Sequence, residues 1–130
     1  MEAIARMRSI VLDAPDTRRL AEFYCDLLGW EISYAETPEQ GGWIKISGAG
    51  ATGLAFQLAP DHQPPPWPDP ASAQQIHLDL TVDDLDEAER QALKLGATKE
   101  DHQPSTAGDF RVFRDPAGHL FCFCVDQPAD

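Results

Sequence analysis

The chain runs twice through the same order of elements, strand, helix, then three strands, and this duplication constrains its fold more than any other feature. In the first copy, residues 7–13 alternate: Ile10 and Leu12 point one way, Ser9, Val11 and Asp13 the other. Pro15 has no N–H to offer a strand ladder and ends the run. Asp16 is a good helix N-cap, and Leu20, Phe23, Tyr24, Leu27 and Leu28 then make one apolar helix face before Gly29 stops it. Strands are expected at 30–35, 43–47 and 54–58, separated by glycine-rich and proline-containing turns. In the second copy, 76–82 is the strand, and Asp83 or Asp84 caps a helix. Asp84 with Glu87 resembles a capping box. Leu85, Ala88, Ala92, Leu93 and Leu95 supply its apolar face, and Gly96 ends it. Strands are expected at 97–101, 110–114 and 119–125, with a turn at 115–118. Gly29 and Gly96 stand 67 residues apart, and the same offset brings Asp16 onto Asp83.

Between the copies, 59–73 contains six prolines, so it cannot be a regular helix or strand and reads as a semi-rigid connector. The expected organisation is one domain over 1–130: a first module over about 1–58, a linker over 59–75 and a second module over about 76–126. The fold class is α+β, two paired βαβββ modules forming a partly open, barrel-like cleft. Parity assigns the inner faces. If Ile10 and Leu12, and later Ile76, Leu78, Leu80 and Val82, face the helices, then Ser9, Val11, Asp13, His77, Asp79 and Thr81 face inward. So many polar groups suit a wet cleft better than a packed core.

Charge and cysteine content narrow the function classes. A formal net charge of −12 disfavours nucleic acid and anionic membrane surfaces, and favours a neutral or cationic ligand; acidity also simply keeps a protein soluble. No apolar run approaches the roughly 20 residues of a membrane span, and the N-terminus does not read as a signal peptide, which makes the cytoplasm the expected location. Three cysteines without a secretory signal argue against a disulfide framework.

The module order, the LAEFYCDLLGW helix, the IHLDLTVDDLDEAERQALKLGA segment and the FRVFRDPAGHLFCF strand pair resemble the vicinal oxygen chelate superfamily, in particular its glyoxalase-like and bleomycin-resistance-like proteins, which include dioxygenases. The resemblance implies two modules around a cleft, often in a homodimer, and in metal-dependent members four ligands, typically histidine and glutamate. Those four positions fall on Ser9, Gln57, His77 and Cys122. Of these, His77 is the one strong ligand, and Asp13 or Asp79 is the carboxylate that could stand in for a missing one. The resemblance therefore implies a metal-independent protein that binds a cationic or aromatic small organic molecule, of the antibiotic-sequestering kind, with no cofactor. The alternative is a lyase, isomerase or dioxygenase centred on His77.

Each candidate residue has a functional and a plain reading. His77 and Asp79 are either a carboxylate-oriented imidazole usable as a catalytic base or a hydrogen-bonded pair that pins the sheet. Asp13 either holds a cation or caps the loop before Pro15. Trp43 and Trp67 are the aromatic candidates for a pocket wall, and Trp67 alternatively anchors the connector. Cys122 and Cys124 share one strand face, as reactive thiols or as small buried apolar residues. Arg111 is the basic residue placed near the cleft, beside Asp79 or a ligand carboxylate, with a parity that one residue of slip would reverse.

Overall fold

The computed structural model describes residues 2–50 and 52–125; the expected module limits at 1 and 126 lie outside them. The elements follow the duplicated order: β1 (Ser9–Ala14), α1 (Thr17–Leu28), β2 (Glu31–Ala35), β3 (Ile44–Ser47), β4 (Gly53–Leu58), β5 (Leu78–Thr81), α2 (Leu85–Leu95), β6 (Thr98–Lys99), β7 (Phe110–Arg114) and β8 (Leu120–Cys124). A short 3-10 turn over Pro38–Gln40 precedes β3. The chain divides into two compact units, Met1–His62 and Gln63–Asp130. Each holds one four-stranded sheet, ordered β1-β4-β3-β2 and β5-β8-β7-β6. The two orders match strand for strand, with the first strand parallel to the last in each. Neither sheet closes into a barrel among the described residues, since both keep two edge strands.

In the first unit, the Asp16 side chain accepts from Arg19 N at 3.0 Å and so starts α1; Gly29, at φ 69°, returns an N–H to Cys25 O and ends it. The helix buries Leu20, Ala21, Phe23 and Tyr24, and the sheet buries Leu12, Ile44, Ile46, Leu54 and Phe56. Tyr24 stacks on Phe56 with ring centres 5.9 Å apart. The buried Thr17 hydroxyl donates to Gly42 O at 2.6 Å and ties the start of the helix to the turn before β3.

The second unit repeats this with aromatic packing concentrated in the strands. Phe113, Phe121 and Phe123 meet at ring-centre distances of 5.2 to 5.6 Å on the face covered by α2. Asp84, not Asp83, caps α2 by accepting from Glu87 N. The offset of 67 therefore fails at the caps, because α2 has 11 residues where α1 has 12. The strand expected at 97–101 shrinks to Thr98–Lys99. Beyond it Glu100 N still bonds Val112 O at 3.1 Å, and the Gln103 side chain completes the pairing: its amide accepts from Val112 N and donates to Val112 O, both at 2.9 Å. The strand expected at 76–82 is also shorter, and His77 stands just ahead of β5.

The connector is built into the second unit along 63–67. Arg114 on β7 donates to Pro65 O at 2.9 Å and to Gly118 O at 2.8 Å; Trp67 O lies 3.4 Å from its other terminal nitrogen. Its Nε bonds Glu100 at 2.5 Å. Pro64 lies against Gly118 so closely that a Cβ there would sit 2.6 Å from the proline ring. The Trp67–Pro68 peptide bond is cis.

Candidate functional site

Alternation along three paired strands makes the site of the second unit. In β8, Phe121 and Phe123 enter the aromatic core, so Leu120, Cys122 and Cys124 take the opposite face. Register places Val112 across from Cys122 and Phe110 across from Cys124. On the other side, Asp79 is the partner of Cys122, and Thr81 of Cys124. This face carries a cavity of about 290 Å3. Trp67, Pro104, Phe110 and Val112 form its apolar walls, while Gln74, His77, Asp79, Cys122 and Cys124 supply polar atoms. Trp67 packs against the cluster of Val112, Leu120 and Cys122, and its ring centre is 5.4 Å from that of His102.

One corner concentrates the chemistry. His77 Nε2 lies 3.1 Å from Asp79 Oδ1. Together with Cys122 Sγ, one donor atom from each of these residues lies within 4.8 Å of the others. His77 and Asp79 are open to solvent, whereas Cys122 is buried at 7% exposure. Burial pushes the Cys122 thiol up to about 12; the nearby Asp79 charge, Cys124 and a hydrogen bond from the thiol to Asp79 add to this. Cys124 is raised for the same leading reason, with Asp79 and Asp109 adding to it. Without a cation, these thiols are held as S–H donors rather than as nucleophiles.

The donor set fits a divalent metal of the zinc class. A neutral imidazole, a carboxylate and a thiol that a cation would deprotonate are three ligands of the right types, the number catalytic zinc sites use. Sequence alone pointed to an incomplete set. That expectation rested on four carried-over positions, of which His77 and Cys122 fall in this corner; Asp79, the carboxylate stand-in, completes the three.

The other candidates fall elsewhere. Ser9, Asp13 and Gln57 lie on the first unit's sheet, on the face away from α1, with Asp13 and Gln57 as register partners. Trp43 is half-buried ahead of β3, its backbone paired in both directions with Glu36. Arg111 departs from expectation. Register puts Val112, not Arg111, on the Cys122 face, and the Arg111 guanidinium bonds Asp86 at 2.8 Å and Glu89 at 3.3 Å on α2. These carboxylates hold its pKa up. Phe110 and Val112 were missed, although the same alternation that placed Cys122 would have found them. Gln74 and Pro104 carry no local signal, since loops put them at the cavity. A larger hollow of about 690 Å3 beside the start of α1 has no comparable corner. Its Asp16, Thr17 and Glu36 are engaged by Arg19 N, Gly42 O and Trp43 N.

A family model described as a glyoxalase-like domain matches residues 9–124. The chain belongs to that family. This glyoxalase-like protein thus sits within the vicinal oxygen chelate superfamily, and its two matching sheets are the superfamily's repeated module. No curated protein matches it. Among solved structures, TnmS3, an antibiotic binding protein from Streptomyces sp. CB03234, is 18% identical over 98% of this chain and 100% of its own, with a TM-score of 0.65. The fosfomycin resistance protein FosX from Listeria monocytogenes is 17% identical over 96% of each chain, with a TM-score of 0.69. A glyoxalase/bleomycin resistance protein/dioxygenase family enzyme from Burkholderia phytofirmans PsJN is 17% identical, covering 93% of this chain and 98% of its own, with a TM-score of 0.65. At these identities the likeness is one of fold. Among the described residues, no helix is long and apolar enough to cross a membrane.

Proposed function

We propose that this glyoxalase-like protein is an enzyme of the lyase, isomerase or dioxygenase kind, acting on a small organic molecule at the second unit's cavity, with His77, Asp79 and Cys122 as a metal-holding corner. The observation that carries this is the convergence of three different donor types within 4.8 Å at the polar end of an apolar hollow. A divalent cation there would act as a Lewis acid on an oxygen of the bound molecule. The chain's own residues do the rest. Trp67, Phe110 and Val112 exclude water from the apolar part of the ligand. Asp79 orients the His77 imidazole through Nε2, which leaves Nδ1 as the ring nitrogen available to a metal.

The test is zinc or cobalt loading followed by desalting and elemental analysis. About one ion per chain is expected, with at least a tenfold weaker affinity in His77→Ala and in Cys122→Ser, the loss typical of removing a ligand or its orienting partner. Absent retention, or retention that ignores both substitutions, overturns the metal reading.

A second reading is metal-independent binding of the antibiotic-sequestering kind. It is favoured by the internal satisfaction of the corner, where Asp79 already engages His77 and the neutral Cys122 thiol. TnmS3 and FosX, named as antibiotic-binding and fosfomycin-resistance proteins, share the fold. Under this reading, chelator-treated protein keeps full affinity in a tryptophan-fluorescence titration with drug-like cations; under the first it loses turnover.

A further inference from the structure

Arg114 is a charged side chain, 17% exposed, that does not line the cavity and nonetheless controls one of its walls. Four bonds leave its guanidinium. One goes to Glu100, one to Gly118 O, and two reach forward to the carbonyls of Pro65 and Trp67. Pro64 closes on Gly118 from the same side. A proline-rich segment has almost no backbone N–H groups with which to fix itself, so its carbonyls are its handles. A planar, multi-donor fork is suited to holding several of them at once. Trp67 hangs from the held segment, and its ring is one apolar wall of the cavity, packed against Val112, Leu120 and Cys122.

The cavity's size and lining narrow the ligand. About 290 Å3 is at the lower limit of small-molecule sites. The formal charge at its surface comes from Asp79 and from His77 when protonated, while Arg111 is turned away to α2. An indole wall favours a flat, unsaturated body, and attracts it more strongly when it is cationic.

We propose that Arg114 is the specificity-determining positioning residue of this cavity: by holding the Pro65 and Trp67 carbonyls it fixes the Trp67 ring as the wall on which a flat, small cationic aromatic ligand stacks, with its polar end at Asp79. This rests on the cavity of the second unit being the ligand site, and holds with or without a metal at the corner.

Benzamidine tests it, being one flat ring with a planar cationic fork, against cyclohexanecarboxamidine, which carries the same cation on a puckered ring. Binding is followed in chelator-treated protein by the Trp67 signal (wild type minus Trp67→Phe) and by the His77 imidazole resonances. Wild type is expected to prefer benzamidine about tenfold, and Arg114→Gln to lose that preference while keeping most of its affinity for the puckered cation. Arg114→Lys restores part of the preference by reaching one carbonyl. Gly118→Ala, which displaces Pro64 and strains the φ 89° residue whose carbonyl Arg114 also holds, loses it as well. Glu100→Gln, which breaks the ion pair and spares the carbonyl bonds, keeps it, and so separates strap positioning from a loss of stability. If Arg114→Gln or Gly118→Ala discriminates the two cations as wild type does, while benzamidine still moves the His77 resonances, the Arg114 proposal is overturned and the site stands. If benzamidine moves neither signal, the site itself fails, and the proposal with it.

Discussion

At the scale of single residues, the corner turns on how one carboxylate is shared. Asp79 faces His77 at 3.1 Å and also takes a bond from the Cys122 thiol, so it serves an exposed base and a buried acid together. The pH dependence of metal-free protein follows from this. The Cys122 thiol rises from an ordinary 9.0 to about 12 in the folded state. The folded chain therefore holds that proton where the unfolded chain gives it up. The associated stability is whole below pH 9.0 and is lost as pH climbs towards about 12. Urea midpoints should fall with pH over that window more steeply in chelator-treated wild type than in Cys122→Ala; parallel slopes would refute the assignment. Folded, metal-free protein should also be alkylated at Cys122 far more slowly than unfolded protein at the same pH, as peptide mass mapping can show. His77, Asp79 and Cys122 were legible in the sequence because alternation names a face. Their convergence was not, because it depends on the register that sets Asp79 beside Cys122. The same dependence misplaced Arg111, where one residue of slip decides between the cavity and α2.

The elements show where local signals suffice and where distant contacts override them. Asp16, Gly29 and Gly96 act as helix punctuation, as their side chain or lack of one dictates. The second strand set is different. A side chain, Gln103, joins the Glu100 backbone in pairing with Val112, and no local pattern announces that a glutamine nine residues away will do so. The connector likewise reads as a spacer from its prolines, yet Arg114 makes part of it a wall. Strand packing in the second unit depends on three phenylalanines, all at or below 3% exposure. Phe121→Ala removes a fully buried ring from this mutually packed trio. It should cost about 3–5 kcal/mol in a denaturant titration, against under about 0.5 kcal/mol for an exposed control such as Lys94→Ala. The equivalent hydrogen-bond test in the first unit is Thr17→Val, which leaves Gly42 O without its donor and should cost about 1–3 kcal/mol.

For the whole molecule, duplication and charge pull in different directions. Duplication gives two sheets of one topology, each with its helix, but the second copy has gathered the histidine, the thiols and the strap tryptophan around one cavity while the first keeps Ser9 and Gln57 at the corresponding positions. A site confined to one copy can be asymmetric, which recognition of an asymmetric ligand requires. The charge belongs to no single copy: the net −12 reflects 22 acidic against 10 basic residues. Several basic residues are already paired: Arg18 with Glu22, Arg90 with Glu87, Lys99 with Glu89, Arg111 with Asp86 and Arg114 with Glu100. The unpaired excess is thus negative and sets a field that extends beyond any one contact. Its reach in solution is about 10 Å at 0.1 M salt and about 3 Å at 1 M. A cationic ligand should therefore associate more slowly, and bind several-fold more weakly, as salt rises between those values, while its neutral isostere is nearly unaffected. Stopped-flow tryptophan fluorescence with benzamidine and benzamide makes the comparison. Equal salt slopes for the two would show that neither the field of the chain nor the Asp79 carboxylate draws in the cation, and that the acidity of the chain serves solubility rather than capture.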